Sequence, residues 1–161
     1  MKTPFGIHAE YMSERAVNNC VNMFKKDQSR VVPGKSGLYE IKPEWKDSLD
    51  LGLNIKELKR LKIWHKEMHD IIDNYIRKYP ILSKYDPWGY IEGVNIQYYK
   101  PNGGYRKEHC ERMTLGGSQR IMAFMTYLTD TKNGGTEFTY LNWKAPCKKG
   151  LTLIWPADYP Y

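Results

Sequence analysis

Residues 95–111 read NIQYYKPNGGYRKEHCE. A run ends in Tyr98 and Tyr99, a Lys100-Pro101-Asn102-Gly103-Gly104 stretch turns the chain, and His109-Cys110-Glu111 follows. Upstream of the turn, residues 90–99 alternate with a period of two, the strand period. Val94, Ile96 and Tyr98 take one face; Asn95, Gln97 and Tyr99 take the other. The polar face reads either as the lining of a cavity or as the solvent side of a two-sided sheet. Downstream, residues 120–128, RIMAFMTYL, are almost wholly apolar and predict a strand buried on both faces. Residues 129–135 are turn-forming, 135–140 predict a return strand, and 151–155 predict a short strand ended by Pro156.

The first half has a different period. In residues 13–27, Ser13 predicts an N-cap, and Ala16, Val17, Cys20, Met23 and Phe24 share a helical face. Residues 31–37, VVPGKSG, predict a loop, and 38–55 carry no clean pattern. Residues 55–79 predict a long helix, with Leu58, Leu61, His65, Met68, Ile72, Tyr75 and Tyr79 on its apolar stripe and Pro80 beyond its end. Helices first and strands later is the pattern of an α+β fold.

The chain has 161 residues, which predicts one domain with its own core. Within it, residues 1–80 are expected to be mainly helical support and 88–161 the β core. The net charge is +7, but Lys25-Lys26, Lys59-Arg60, Arg106-Lys107 and Lys148-Lys149 are scattered, as on a solvated basic surface. This spread speaks against a nucleic-acid partner. Three cysteines without a Cys-x-x-Cys spacing argue against a disulfide framework and a zinc knuckle. The N-terminus has no apolar signal core, and no apolar run approaches the roughly 20 residues of a membrane span. A soluble cytoplasmic protein is expected.

On a strand, residues i and i+2 point to the same face, so His109 and Glu111 would aim into one space. Imidazole plus carboxylate suits a divalent transition metal, and a second histidine would make the facial triad of non-heme Fe(II) oxygenases. The plain alternative is a surface His-Glu pair. A second candidate is His65 and His69, at i and i+4 on the long helix. A zincin would carry Glu where Lys66 stands, and His65 falls in the apolar stripe, so His65 reads as a hydrogen-bonded core histidine. His8, in an N-terminal segment without pattern, is assigned nothing. Cys110 and His109 are adjacent and would face opposite ways, a poor nucleophile pair. Gly116-Gly117 lacks the Gly-Lys-Ser/Thr of a phosphate loop.

Taken in order, NIQYYKPNGGY, HCE, RIMAFMTYLTDTKNGGTEF and KKGLTLIWPADYPY resemble the prolyl 4-hydroxylase-like branch of the 2-oxoglutarate/Fe(II)-dependent dioxygenases, most of all its small phage and bacterial members. The resemblance covers residues 90–161 and extends loosely into the helices. It implies helices packed on a double-stranded β-helix, the cupin-like jelly roll. It implies His109 and Glu111 as iron ligands, with Tyr99 and Tyr127 lining the 2-oxoglutarate pocket. It implies Fe(II), 2-oxoglutarate and dioxygen in the hydroxylation of a C–H bond, with a prolyl residue of a protein or peptide as the substrate type. Two departures stand out. Glu111 replaces the family's usual Asp, and no histidine or basic 2-oxoglutarate anchor follows Trp155-Pro156 before Tyr161. The expectation is therefore a jelly roll lacking its last strands. The competing expectation is a catalytically silent domain that forms homo-oligomers through an open sheet edge.

Overall fold

The computed structural model describes residues 1–36 and 40–161. The expected loop at 31–37 and the unpatterned stretch at 38–55 each run into residues 37–39, which lie outside the described residues. Among the described residues, two α-helices, α1 (Glu14–Lys26) and α2 (Lys62–Lys78), accompany eight strands: β1 (His8–Tyr11), β2 (Val32–Pro33), β3 (Leu49–Leu53), β4 (Val94–Tyr98), β5 (Met122–Thr126), β6 (Gly135–Phe138), β7 (Trp143–Pro146) and β8 (Leu151–Pro156). The strands form three antiparallel sheets, ordered β1-β8-β5, β2-β3-β4 and β6-β7. Mixed helix and antiparallel sheet agrees with the α+β expectation.

Helix α1 forms where expected. The Ser13 side chain accepts from the Ala16 amide at 3.2 Å, satisfying one of the orphan donors of the first turn. The Glu67 carboxylate of α2 accepts from the Ser13 amide at 2.7 Å and so ties the start of α1 to its neighbour. The predicted 55–79 helix is two pieces. Residues 55–61 wind as a 3-10 helix behind an Asn54–Glu57 capping box, and α2 follows.

The buried stripe across the two pieces is Leu58, Leu61, Trp64, Met68, Ile71 and Tyr75. It keeps Leu58, Leu61, Met68 and Tyr75 of the expected stripe, but Trp64 and Ile71 are buried where His65 and Ile72 were expected. His65 is therefore not a core histidine. It sits half-buried at the edge of the stripe, with His69 as its partner.

The strand closed in on both faces is β8, not the 120–128 run. Leu151, Leu153 and Trp155 face a cluster with Ile7, Phe138 and Ala145, whereas Ile154 faces the helices. β8 has β1 on one side and β5 on the other, so β5 is an edge strand and its residues are half-buried. The return strand at 135–138 exists, but it pairs with β7 rather than with β5. His8 is also corrected: it lies on β1, opposite Ile154.

In the second sheet, Leu51, Leu53 and Ile96 point toward the helices. Asp50 and Gln97, paired across β3 and β4, occupy the other face. This polar face is where the candidate site is built. Replacing fully buried Leu153 by Ala should cost about 2–5 kcal/mol, against less than about 0.5 kcal/mol for Lys66→Ala, whose side chain is 76% exposed. Urea unfolding followed by tryptophan fluorescence measures both, and equal costs would contradict the packing around β8.

Candidate metal and cosubstrate site

The polar face of β3 and β4 carries a buried ion pair. Lys46 Nζ donates to Asp50 Oδ2 at 2.6 Å, and the Ser48 hydroxyl donates to Asp50 Oδ1 at 2.7 Å. All three residues are buried, Lys46 at 5% exposure. A charge this far from water needs its partner, and Asp50 supplies it. Tyr99, one residue past β4, donates its hydroxyl to Gln97 Oε1 at 3.0 Å. Burial first, and then the nearby Asp50 carboxylate, push the Tyr99 phenol well above its ordinary value. Tyr99 therefore stays a neutral donor.

The Lys100–Gly104 turn then re-aims the chain. Asn102 adopts φ 65°, and the Gly103 amide donates to the Lys100 carbonyl at 2.7 Å. A Cβ on Gly103 would stand 2.9 Å from the carbonyl oxygens of both Asp47 and Lys100, so no side chain fits there. Past the turn the chain rejoins the 45–47 segment. The Asp47 amide donates to the Gly104 carbonyl at 2.9 Å, and the Arg106 amide donates to the Trp45 carbonyl at 2.7 Å. Lys46 and Tyr105 are thereby paired across the two segments.

Tyr105 stacks on His109, with ring centroids 4.1 Å apart and planes 23° apart. His109 and Glu111 do not lie on a regular strand, as the i, i+2 argument assumed. They occupy an irregular segment that runs into the turn at 111–112. Their side chains nevertheless converge, with His109 Nε2 3.7 Å from Glu111 Oε1. His109 Nδ1 lies 2.9 Å from the Lys107 carbonyl, which accepts only. Nδ1 therefore carries a proton, and in the neutral ring Nε2 keeps its lone pair toward Glu111. On the far side, Arg120 Nη1 donates to Glu111 Oε2 at 3.3 Å and to the Glu111 carbonyl at 3.1 Å. Its Nη2 donates to Glu92 at 2.9 Å.

These contacts set the charges. Burial alone would lower the His109 pKa, but the Glu111 carboxylate and the Lys107 carbonyl outweigh it, and the net shift is upward. Glu111 is held below the ordinary carboxylate range, first by the His109 imidazole beside it and then, against burial, by the charges of His109, Arg120 and Lys46. His109 therefore holds its proton to higher pH than a free imidazole, and Glu111 keeps its charge to lower pH than a free carboxylate.

Of the expected residues, the structure brings His109 and Glu111 together, and Tyr99 is close enough to feel the Glu111 charge. Tyr127 follows β5 and packs with the second cluster, around Leu151, Leu153 and Trp155. Its hydroxyl donates to Thr136 at 2.7 Å, and its described contacts lie there. Lys46, Tyr105 and Arg120 join the site without having been anticipated. Lys46 sits in a stretch without periodicity, and Arg120 reads as an ordinary charge before an apolar run. Among the described residues, no group of three or more His, Cys, Asp or Glu side chains is placed to hold a metal. No helix among them is long and apolar enough to cross a membrane.

The His109–Glu111 coupling has a direct test. The upward shift of His109 should shrink in Glu111→Gln, so the midpoint of its ring-proton NMR titration should move down. An unmoved midpoint would mean that the two side chains do not interact in solution.

No protein-family model and no curated protein matches the sequence. Solved structures do match. A prolyl-4-hydroxylase from Pseudomonas putida superposes with a TM-score of 0.68 at 10% identity, over 95% of this chain and 81% of that one. A viral collagen prolyl hydroxylase from Paramecium bursaria Chlorella virus-1, a 2OG complex, superposes with a TM-score of 0.62 at 18% identity, over 94% of this chain and 77% of that one. The chain has the fold of these two prolyl hydroxylase structures.

Proposed function

We propose that this chain is a 2-oxoglutarate- and Fe(II)-dependent dioxygenase domain that hydroxylates a C–H bond, with a prolyl residue of a peptide or protein as its substrate type. The proposal includes a double-stranded β-helix as the organising core. The observation that carries it is the convergence of His109 Nε2 and Glu111 Oε1 at 3.7 Å on a fold shared with prolyl hydroxylases.

The donor atoms fit a divalent iron. A neutral imidazole nitrogen and one carboxylate oxygen are two of the three protein donors in a facial triad. The Lys107 carbonyl holds the imidazole in the tautomer that exposes Nε2. Arg120 holds the other carboxylate oxygen, which leaves Oε1 as the donor. Outer partners of this kind orient ligands and are part of a working metal site. Glu in place of Asp lengthens the arm by one methylene, and the Arg120 contact fixes where that arm points. Bound Fe(II) would supply the dioxygen chemistry that couples decarboxylation of 2-oxoglutarate to hydroxylation.

The chain's own residues do the rest. Tyr99, kept neutral by burial, is a hydroxyl donor suited to an anionic cosubstrate. Tyr127, the other cosubstrate residue that the resemblance implies, donates to Thr136 within the second apolar cluster and has no described contact with His109, Glu111 or Tyr99. The flat Tyr105 ring over His109 shields the imidazole from water on one face.

The incomplete ligand set favours a second reading, a silent scaffold that associates through the edge strands β4 and β5. One titration separates the two. Under anaerobic conditions, Fe(II) and 2-oxoglutarate added to the 161-residue chain should give the visible charge-transfer band of the chelate, and His109→Ala should abolish it together with 2-oxoglutarate turnover. A chain that shows no band and scatters light as a dimer or larger species would instead be the silent scaffold.

A further inference from the structure

The pair His65–His69 lies outside the site described above. Both residues are on α2, one helical turn apart, so their side chains share a face. Their Nε2 atoms are 3.3 Å apart, and the rings meet edge to face at 4.6 Å between centroids. Two nitrogens bound to one metal at about 2.0–2.1 Å stand about 2.8–3.0 Å apart at octahedral angles and about 3.3–3.4 Å apart at tetrahedral angles. The two imidazoles are thus already at the spacing of two ligands on one ion. We propose that His65 and His69 form a surface site for a late first-row divalent cation, of the Zn2+, Ni2+ or Cu2+ class, with water filling the remaining positions.

The surroundings support this reading. Tyr90 walls the pair, its ring centroid 5.4 Å from that of His65 and 5.8 Å from that of His69. Its hydroxyl is buried and has no hydrogen-bond partner among the described residues. Burial, and then the neighbouring His69, lower the proton affinity of His65, which keeps an imidazole lone pair available at neutral pH. His69 is exposed and a groove of about 680 Å³ runs alongside, lined by Arg15, Lys62, Ile63, His65, Lys66 and Glu67, so an ion has an entry path.

The acidic neighbours are engaged elsewhere. Lys66 Nζ pairs with Asp70 at 2.9 Å, and Glu67 binds Ser13. The site therefore offers nitrogen donors without a carboxylate, which selects transition metals over Mg2+ and Ca2+. Its location on α2 gives such an ion a role in holding the helix rather than in the chemistry of His109.

Isothermal titration of the full chain with ZnCl2 tests the proposal in wild type, His65→Ala, His69→Gln and His109→Ala. Losing a group that merely orients a ligand costs about 10–100-fold in metal affinity, so losing a ligand should cost at least tenfold. His65→Ala and His69→Gln should each weaken one Zn2+ event by tenfold or more, while His109→Ala leaves that event in place. The same ion should raise the melting temperature of wild type but not that of His69→Gln, a substitution at an exposed position that the fold tolerates. Wild type showing no Zn2+ binding, or binding lost in His109→Ala and kept in His69→Gln, overturns the site. Neither result depends on 2-oxoglutarate turnover, so this site and the proposed activity stand or fall separately.

Discussion

The structure depends on β8 being closed in on both sides and along both edges. Its backbone pairs with β1 and with β5, and its side chains alternate between two apolar clusters. Buried peptide groups have to find partners within the protein, and a central strand meets that demand for both of its edges at once. Thr152, fully buried, confirms how tightly this rule is kept. Its hydroxyl lies 3.0 Å from the Thr126 hydroxyl, across the β5–β8 ladder, and 3.3 Å from the Gly150 carbonyl. The helices cover one face of this sheet and the β6–β7 hairpin covers the other. With the cores settled there, the outer face of β3 and β4 is left free for polar residues.

That freedom is used for the Lys46–Asp50 pair. Removing one member of a buried pair costs about 3–5 kcal/mol, since the other is stranded. The pair therefore holds the 45–50 segment in place. Through the contacts of residues 45–47 with 104–106 it also holds the return of the chain after the Lys100–Gly104 turn. Tyr105 leaves that return already stacked on His109. The position of the metal-ligand candidate is thus set by a salt bridge and a tight turn rather than by strand pairing. This explains how His109 and Glu111 meet in a segment without regular secondary structure.

The sequence showed what local chemistry can show. The cap at Ser13, the alternation through Ile96 and Gln97, the turn at Asn102-Gly103 and the His109–Glu111 pair all follow from residue types a few positions apart. It did not show β1, β3 or β7. β1 is four residues long and stands as a strand only because β8 lies beside it. β3 holds Asp50 and Gly52, which oppose strand formation locally, and it is fixed by β4. The exchange of roles between 120–128 and 151–156 has a similar cause. Both runs are apolar, and which becomes central depends on the neighbours that pairing brings. Lys46 was invisible as a site residue because burial decides its meaning, and nothing about a lysine in KPEWKD announces burial.

The electrostatics around Glu111 decide how such a site could operate. Oε2 is taken by Arg120 and Oε1 faces His109 Nε2. Each group favours the charged form of the other, so His109 is shifted up and Glu111 down. A divalent ion needs the same nitrogen lone pair and the same oxygen. Proton and metal therefore compete for one pair of atoms, and metal binding there weakens as pH falls. Lys46 and Arg120 add positive charge on the carboxylate side. That charge lowers the appetite of Glu111 for a second cation, while the Arg120 hydrogen bonds hold the carboxylate in place without a metal. The arrangement thus gives up affinity for orientation. Affinity would then depend on further donors that bring negative charge, and the carboxylate of an anionic cosubstrate is a donor of that kind.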